Sequence, residues 1–233
     1  EDVKGIKCDS IIEISGGDIT IEVNGAGSKA LKSKQNTIFS GGLLTTYLNA
    51  ENAFIENEDY SYNAAIKSDQ NIEIKENAQL VVNGNGISAR ALNSDWNTYI
   101  HGGEIKIDLS GLYNIEATDT TSVYGIKADS SVIISGGNSI ITIGNDAKTS
   151  KGIKANNVTI NGGVLNITND GGYFSLSDNT FATAKAIKAD NNVNILGGES
   201  TLTCNYGKGI TCNGNIVIGT VGRMSYQKNH PFL

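Results

Sequence analysis

One phrase recurs eight times along the chain, and no other feature constrains the fold as strongly. It reads YGIKADSSVIISGG at residues 124–137 and KGIKCDSIIEISGG at residues 4–17. Each copy is marked by one apolar residue: Ile6, Leu31, Ile66, Leu92, Ile126, Ile153, Ile187 and Ile210. The intervals between these markers alternate between short ones of 23–27 residues and long ones of 34–35 residues. Because stacked repeats share one continuous core, we expect a single domain over residues 1–233, with residues 220–233 as a C-terminal tail or cap.

Within each repeat the apolar residues follow a period of two, which indicates strands rather than helices. The first repeat contains three such runs: Ile6/Cys8, Ile12/Ile14 and Ile19/Ile21/Val23. Gly16 and Gly17 stand between the second and third runs, and glycine suits such a corner because it accepts positive φ without steric cost. Three strands per repeat, with like positions stacked on like, predict an all-β fold. The prediction is a parallel β-helix of about eight coils with three parallel sheets.

The GIKAD phrase followed by a Gly-Gly pair resembles a family of secreted bacterial carbohydrate-binding proteins, over about residues 4–219. The resemblance implies a right-handed β-helix like that of pectate lyases, without their catalytic residues. It also implies binding of plant cell-wall polysaccharide such as cellulose or pectin, bound calcium, and a location outside the cell or at its surface. Family members often carry an Asp before the first Gly of the phrase. This chain has other residues there: Lys4, Lys29, Ala64, Arg90, Tyr124, Lys151, Lys185 and Lys208.

The second acid of the phrase is retained and predicts a row of carboxylates on consecutive repeats. Asp69, Asp95 and Asp129 are expected about 5 Å apart, the spacing of neighbouring strands. Carboxylates this close repel one another, and a calcium ion bound by their oxygens would relieve the repulsion. In the alternative interpretation, Lys67 and Lys127 on the same face neutralise the row. The same spacing matches the carboxylate pair of a retaining glycosidase, but every pair of stacked strands produces it.

Trp96 is the first candidate ligand-binding residue. It falls at a corner where the other repeats carry polar residues such as Ser10 and Gln70, so we expect it to face solvent. Tyr99 is predicted to point outward nearby, with Ile38 and Ile133 in the same column. Aromatic rings can cover the apolar face of a sugar while their polar atoms bind its hydroxyls. In the alternative interpretation these side chains pack beneath a neighbouring loop.

Three long loops, residues 49–63, 110–123 and 169–184, supply the other candidate residues. We expect them to project from one edge of the fold, two repeats apart. Their aromatic residues are Phe54, Tyr60, Tyr62, Tyr113, Tyr173, Phe174 and Phe181. Among these, the candidate ligand-binding residues are Tyr60, Tyr62, Tyr113, Tyr173 and Phe174. The alternative is that the loop aromatics pack the loops onto the flank of the fold.

Composition bears on several other classes of function. The net charge is −6 without a basic cluster, so we expect no nucleic-acid partner. No apolar run approaches the roughly 20 residues of a membrane-spanning helix. Three cysteines are too few for a disulfide scaffold, and Cys8 and Cys212 occupy the same repeat position. We expect buried free thiols, with a Cys204–Cys212 bridge as the alternative.

These observations predict a monomeric, secreted or surface-attached module that binds polysaccharide without cleaving it. The chain opens close to its first repeat, which indicates a mature or trimmed product. An enzyme of the polysaccharide lyase or glycoside hydrolase type is one alternative, although neither His101 nor Arg223 lies in a recognisable catalytic motif. A structural stalk or adhesin is the other alternative, since repetition alone would suffice for it.

Overall fold

The computed structural model describes residues 3–51, 53–55, 59–115, 120–177, 180–219 and 222–227. These residues form an all-β structure and contain no helix. The strands of the first four repeats are β1 (Lys4–Cys8), β2 (Ile12–Val23), β3 (Lys29–Ser33), β4 (Thr37–Leu48), β5 (Ala53–Ile55), β6 (Asp59–Ser61), β7 (Ala64–Ser68), β8 (Ile72–Gly84), β9 (Arg90–Ser94), β10 (Thr98–Ile100), β11 (Glu104–Leu109), β12 (Asn114–Ile115) and β13 (Thr120–Thr121). The later repeats contain β14 (Tyr124–Ala128), β15 (Ser131–Ile134), β16 (Asn138–Ile143), β17 (Lys151–Ala155), β18 (Asn157–Ile160), β19 (Val164–Asn169), β20 (Tyr173–Ser177), β21 (Thr180–Thr183), β22 (Lys185–Ala189), β23 (Val193–Ile195), β24 (Glu199–Cys204), β25 (Lys208–Thr211), β26 (Ile216–Ile218) and β27 (Arg223–Gln227).

The first strands of the eight repeats form one parallel sheet. Its order is β1-β3-β7-β9-β14-β17-β22-β25, so each repeat pairs with the next along the chain. Equivalent positions are in register: Ile6 pairs with Leu31, and Ile126 pairs with Ile153. The predicted stacking of like positions on like is therefore confirmed for these strands.

The second and third strands of the repeats belong to a single sheet of 13 strands, where the sequence predicted two separate sheets. They are joined because β2, β4 and β8 run through the corner as continuous strands of 12, 12 and 13 residues. The corner persists as an irregularity, since the register of β2 against β4 shifts between Ser15 and Asp18. Gly17 adopts a φ of 81° there, which confirms the predicted role of glycine. The matching glycines of five later repeats also have positive φ: Gly42, Gly103, Gly137, Gly163 and Gly198.

Inward side chains of the two sheets form columns of branched apolar residues. In the first strands the fully buried column is Leu31, Ile66, Leu92, Ile126, Ile153 and Ile187. In the second strands Phe39 replaces the isoleucine that the neighbouring repeats carry as Ile14 and Ile74. The cluster of buried apolar residues runs from Ile12 to Leu202, so the repeats share one core.

Asparagines at the corner between the first and second strands form a ladder that the apolar pattern did not predict. The backbone N–H and the side-chain Nδ2 of Asn71 donate to Oδ1 of Asn36 at 3.1 and 3.2 Å. Asn97 donates to Asn71 in the same way, at 3.1 Å for both bonds. A second ladder links Asn157, Asn192 and Asn215. These bonds satisfy polar groups where the strands turn and hold the corners of successive repeats together.

Each long loop contains a two-stranded antiparallel hairpin: β5–β6, β12–β13 and β20–β21. The hairpins follow β4, β11 and β19, so they leave the sheets at equivalent points of alternate repeats. Residues 223–227, expected within a tail or cap, form β27 and pair in parallel with β24. Residues 220–221 and 228–233 lie outside the described part of the chain. The described residues include no helix able to cross a membrane.

Candidate functional site

Trp96 lies at the corner between β9 and β10 and is 55% exposed. The neighbouring repeats hold the backbone of this corner on both sides. The Trp96 N–H donates to the Gln70 carbonyl at 3.2 Å, and the Ser130 N–H donates to the Trp96 carbonyl at 2.9 Å. The indole therefore projects from a fixed backbone position into solvent, as predicted.

Tyr99 and His101 form a parallel aromatic pair on the outer face of the second strand. Their ring centroids are 5.8 Å apart and the ring planes differ by 10°. His101 Nδ1 lies 3.1 Å from Ser135 Oγ, which fixes the ring against the next repeat. The sequence analysis gave His101 no binding role. Its spacing of two residues from Tyr99 was the available signal, because alternate residues of a strand share a face. We call Trp96, Tyr99 and His101 the aromatic surface.

Side chains from neighbouring repeats flank the aromatic surface along the sheet. The register places Glu73 and Ile133 on either side of Tyr99, and Ile38 next to Glu73. All three flanking side chains are half-buried, as Tyr99 is. The predicted column of Ile38, Tyr99 and Ile133 is therefore confirmed, with a carboxylate from Glu73 within it.

Tyr62, one of the candidate loop aromatics, packs against the fold. The guanidinium carbon of Arg90 lies 3.9 Å from the centroid of the Tyr62 ring and 5.3 Å from that of the Tyr124 ring. Burial lowers the pKa of Arg90, while the two tyrosines act in the opposite direction. Arg90 Nε is buried without a hydrogen-bond partner among the described residues. This contact favours the alternative in which loop aromatics anchor the loops, and sequence analysis did not predict Arg90 in that role.

The remaining loop candidates lie in different surroundings. Tyr113 is half-buried, with Lys148 Nζ 5.8 Å from its ring centroid. Together with Leu112 and Asp146 these residues line an open pocket of about 460 Å³. Tyr173, at the start of β20, is 52% exposed. The side chains of Tyr60 and Phe174 lie outside the described part of the structure, as do those of Phe54 and Phe181.

The predicted row of acids is interleaved with lysines. A lysine contacts each of the three carboxylates, in two cases from the preceding repeat: Lys32–Asp69, Lys67–Asp95 and Lys127–Asp129. Lys67 Nζ also lies 3.8 Å from Asp69, which connects the first two pairs. The interpretation in which lysines neutralise the row is therefore the one that the geometry favours.

The row does not fit a calcium site as it stands. Calcium takes roughly six to eight oxygen ligands, whereas each carboxylate of this row contacts an ammonium group. No three His, Cys, Asp or Glu side chains in the described ranges lie close enough together to hold a metal. Calcium binding by Asp69, Asp95 and Asp129 stays a prediction and has no part in the function proposed below.

Asp69 and Lys67 have shifted pKa values with different causes. Burial alone would raise the pKa of Asp69, but the hydrogen bond from Lys32 and the charges of Lys32 and Lys67 outweigh it and hold the pKa below its usual value. Burial also lowers the pKa of Lys67, and its hydrogen bond to Asp95 only partly offsets this effect. The ionised Asp69 therefore stabilises the folded state, whereas the partly buried charge of Lys67 has a desolvation cost.

We expect Asp69 to make the fold sensitive to acid. Because its pKa is lower in the folded state than the unfolded value of about 3.9, its contribution is complete above that value. The contribution is lost as pH falls through the folded-state pKa. Urea midpoints measured from neutral to acid pH should fall less steeply in Asp69→Asn than in the parent, whereas Asp108→Asn, an exposed position on β11, should retain the parent dependence. Equal slopes in all three proteins would exclude Asp69 as a source of the acid sensitivity.

The three cysteines are free thiols, and the alternative Cys204–Cys212 bridge is not formed. Cys204 is fully buried, and burial raises its pKa to about 11. Its thiol is therefore protonated at neutral pH and unsuited to nucleophilic chemistry. Cys8 and Cys212 are only partly buried.

Comparison with known proteins returned no match to this chain among family models, curated sequences or solved structures.

Proposed function

We propose that the chain is a right-handed parallel β-helix of about eight coils, secreted or attached to a cell surface, that binds polysaccharide at its aromatic surface without cleaving it. Parallel pairing of each repeat with the next supports this fold. Right-handedness follows the strong general preference of crossover connections between parallel strands. The resemblance of the GIKAD phrase supports plant cell-wall glycan, cellulose or pectin, as the ligand class.

The exposed indole of Trp96, three residues before the stacked Tyr99–His101 pair in the chain, is the observation that carries the proposal. A sugar ring has an apolar C–H face, and aromatic rings recognise it by contact while polar ring atoms bind hydroxyl groups. The main-chain bonds on both sides of Trp96 fix the backbone from which the indole projects, so that ordering on binding is confined to the side chain. Exposed apolar side chains that are grouped rather than scattered mark binding surfaces.

A repetitive sheet suits a repetitive polymer. Neighbouring repeats are spaced by about 4.8 Å, so an extended glycan that contacts Tyr99 can continue over Glu73 or Ile133. Several weak contacts along one chain add through their high effective concentration. Tyr173, which is 52% exposed, offers a second contact at the loop edge. In this proposal the aromatic surface is the centre of the site, because Tyr62 and Tyr113 have cationic partners within the fold.

We expect the protein to be retained on insoluble cellulose or on pectin, and Trp96→Ala to weaken that retention about fivefold, or ~1 kcal/mol, as for the loss of one aromatic contact. Depletion isotherms on the two glycans measure the affinity. Tyr47→Ala is the matched control, because Tyr47 is also exposed but lies on β4 away from the aromatic surface, and this variant should bind like the parent. Unchanged affinity in Trp96→Ala with weakened binding in Tyr173→Ala would move the site to the loops.

The same preparations distinguish binding from the alternative functions. We expect no release of reducing ends and no absorbance from unsaturated products during incubation with either glycan. Product formation that survives purification and disappears in Asp95→Asn would replace the proposal with an enzyme. Failure of the parent protein to bind any glycan would favour a structural stalk or adhesin.

A further inference from the structure

The open pocket beside Tyr113 lies outside the aromatic surface, where two neighbouring repeats meet. Leu112 and Tyr113 line it from the loop that follows β11, and Asp146 and Lys148 line it from the turn that follows β16. Its volume of about 460 Å³ falls within the roughly 300–1,000 Å³ that is usual for small-molecule sites. Trp96 stands between the first and second strands of its repeat, whereas this pocket follows the third strand. The pocket is therefore separate from the aromatic surface, and we call it the loop pocket.

Main-chain hydrogen bonds to adjacent repeats hold the walls of the loop pocket. The Ser88 N–H donates to the Leu112 carbonyl at 2.8 Å, and the Thr149 N–H donates to the Gly172 carbonyl at 3.1 Å. Ala147, between the two charged residues of the turn, is fully buried and anchors the turn in the core. The side chains of the pocket therefore project from backbone that is fixed before any ligand binds.

Backbone strain accompanies the loop pocket on both walls. Ser88 and Thr149 have φ values of 51° and 60°, and in the described part of the chain only these two residues other than glycine have positive φ. Ser88 bonds to the main chain of Leu112, and Thr149 directly follows Lys148. The left-handed conformation is unfavourable for a residue with a Cβ atom, and such strain is concentrated at functional sites. Its presence on both walls supports the loop pocket as a binding site.

The two charged side chains of the loop pocket are available to a ligand. Asp146 and Lys148 are exposed, and neither has a salt-bridge partner among the residues that the structure describes. Lys148 Nζ lies 5.8 Å from the centroid of the Tyr113 ring. The stem of this lysine passes Gly172, where an added Cβ would lie 3.7 Å from Lys148 Cγ. These contacts position the lysine beside the tyrosine ring.

The groups of the loop pocket are those that bind a hydroxyl-rich, uncharged molecule. The Asp146 carboxylate accepts hydrogen bonds from hydroxyl groups, and the Lys148 ammonium group donates hydrogen bonds to them. The Tyr113 ring and Leu112, which is 53% exposed, offer apolar surface to the C–H face of a sugar ring. The two opposite charges lie one residue apart in the chain, so the pocket as a whole favours neither an acidic nor a basic ligand.

We propose that the loop pocket binds one uncharged sugar residue and is a second carbohydrate site of the protein. The proposal rests on the proposed function for its class of ligand, but it uses none of the residues of the aromatic surface. Because the loop pocket lies beyond the strands, it takes a residue at the end or at a branch of a glycan. The aromatic surface contacts the extended part of such a chain.

A nuclear magnetic resonance titration with free sugars observes the two sites separately. The methyl signals of Leu112, identified by their loss in Leu112→Met, report on the loop pocket, and the indole N–H of Trp96, the single tryptophan, reports on the aromatic surface. We expect glucose, galactose or xylose to shift the Leu112 signals with a dissociation constant on the order of 1 mM. Glucuronate and galacturonate should bind no more tightly than the uncharged sugars.

Substitution of the charged residues tests their contacts with the sugar. Asp146→Asn and Lys148→Met should each weaken binding about tenfold, because each removes a hydrogen bond to a charged group. Asp18→Asn and Lys106→Met are the matched controls, since both residues are exposed on strands away from the loop pocket, and these variants should bind like the parent. An unchanged indole signal in each free variant shows that it is folded.

The outcomes distinguish failure of this proposal from failure of the aromatic surface. Absence of a Leu112 shift with every sugar, or an affinity that is unchanged in both pocket variants, would overturn the loop pocket as a sugar site. Tighter binding of the uronates or of free leucine would replace the uncharged sugar with a charged ligand and would also overturn it. A Leu112 shift in a protein that is not retained on any insoluble glycan would reject the aromatic surface and support the loop pocket.

Discussion

Replacing Phe39 by alanine should lower the free energy of unfolding by about 3–5 kcal/mol, the range for truncating a buried phenylalanine. Phe39 is fully buried and is stacked between Ile14 and Ile74 of the adjacent repeats. The isoleucines on both sides are fixed by their own strand pairings, so they cannot collapse into the space that the ring leaves. The effect should appear as a lower urea midpoint, followed by far-ultraviolet circular dichroism.

Ile38→Ala is the control for that experiment. Ile38 precedes Phe39 on β4 but points to the opposite face and is only half-buried. Because strand neighbours alternate between faces, we expect a loss below about 1 kcal/mol. Similar losses in the two variants would mean that the inward and outward faces of β4 have been assigned incorrectly.

The features that the sequence predicts best are those that depend on the stacking of equivalent positions in successive repeats. The period of two predicts that Ile6 and Ile126 point to the inner face of their strands. The recurrence of the repeat predicts that both belong to one column of stacked residues. The exposure of Trp96 follows from the same repetition, because the equivalent corner positions of other repeats carry polar residues. These predictions needed no knowledge of the whole fold, since each repeat in a stack contacts only its immediate neighbours.

Other features were not predicted because they depend on contacts between positions that are not equivalent in the repeat. The second and third strands merge into one sheet because β2, β4 and β8 stay paired through the corner, and no residue type signals that continuity. Arg90 contacts Tyr62 because a loop folds back onto the sheet, which a pattern within one repeat does not contain. Asn36, Asn71 and Asn97 recur at one position of the repeat, which was the available signal for the asparagine ladder. The sequence analysis followed apolar residues only and therefore did not detect a column of polar residues.

Alanine substitution of the corner glycines should separate the cost of backbone conformation from the cost of crowding. Gly16 has open space around it and no positive φ, so Gly16→Ala should change the free energy of unfolding by no more than about 0.5 kcal/mol. Gly17 also has open space but a φ of 81°, so Gly17→Ala should cost about 1–2 kcal/mol for the left-handed conformation.

Gly137→Ala should have the largest effect of the series. Gly137 has a φ of 77°, and an added Cβ would lie 2.5 Å from both the carbonyl carbon of Gly102 and the carbonyl oxygen of Gly103. Backbone atoms of the neighbouring repeat cannot move without disturbing the stack, so overpacking adds to the conformational cost, for a total of about 2–5 kcal/mol. Urea midpoints of the three variants measure the order. If Gly137→Ala lowered the free energy of unfolding no more than Gly17→Ala does, the backbones of successive corners would have to lie farther apart than they do in the structure.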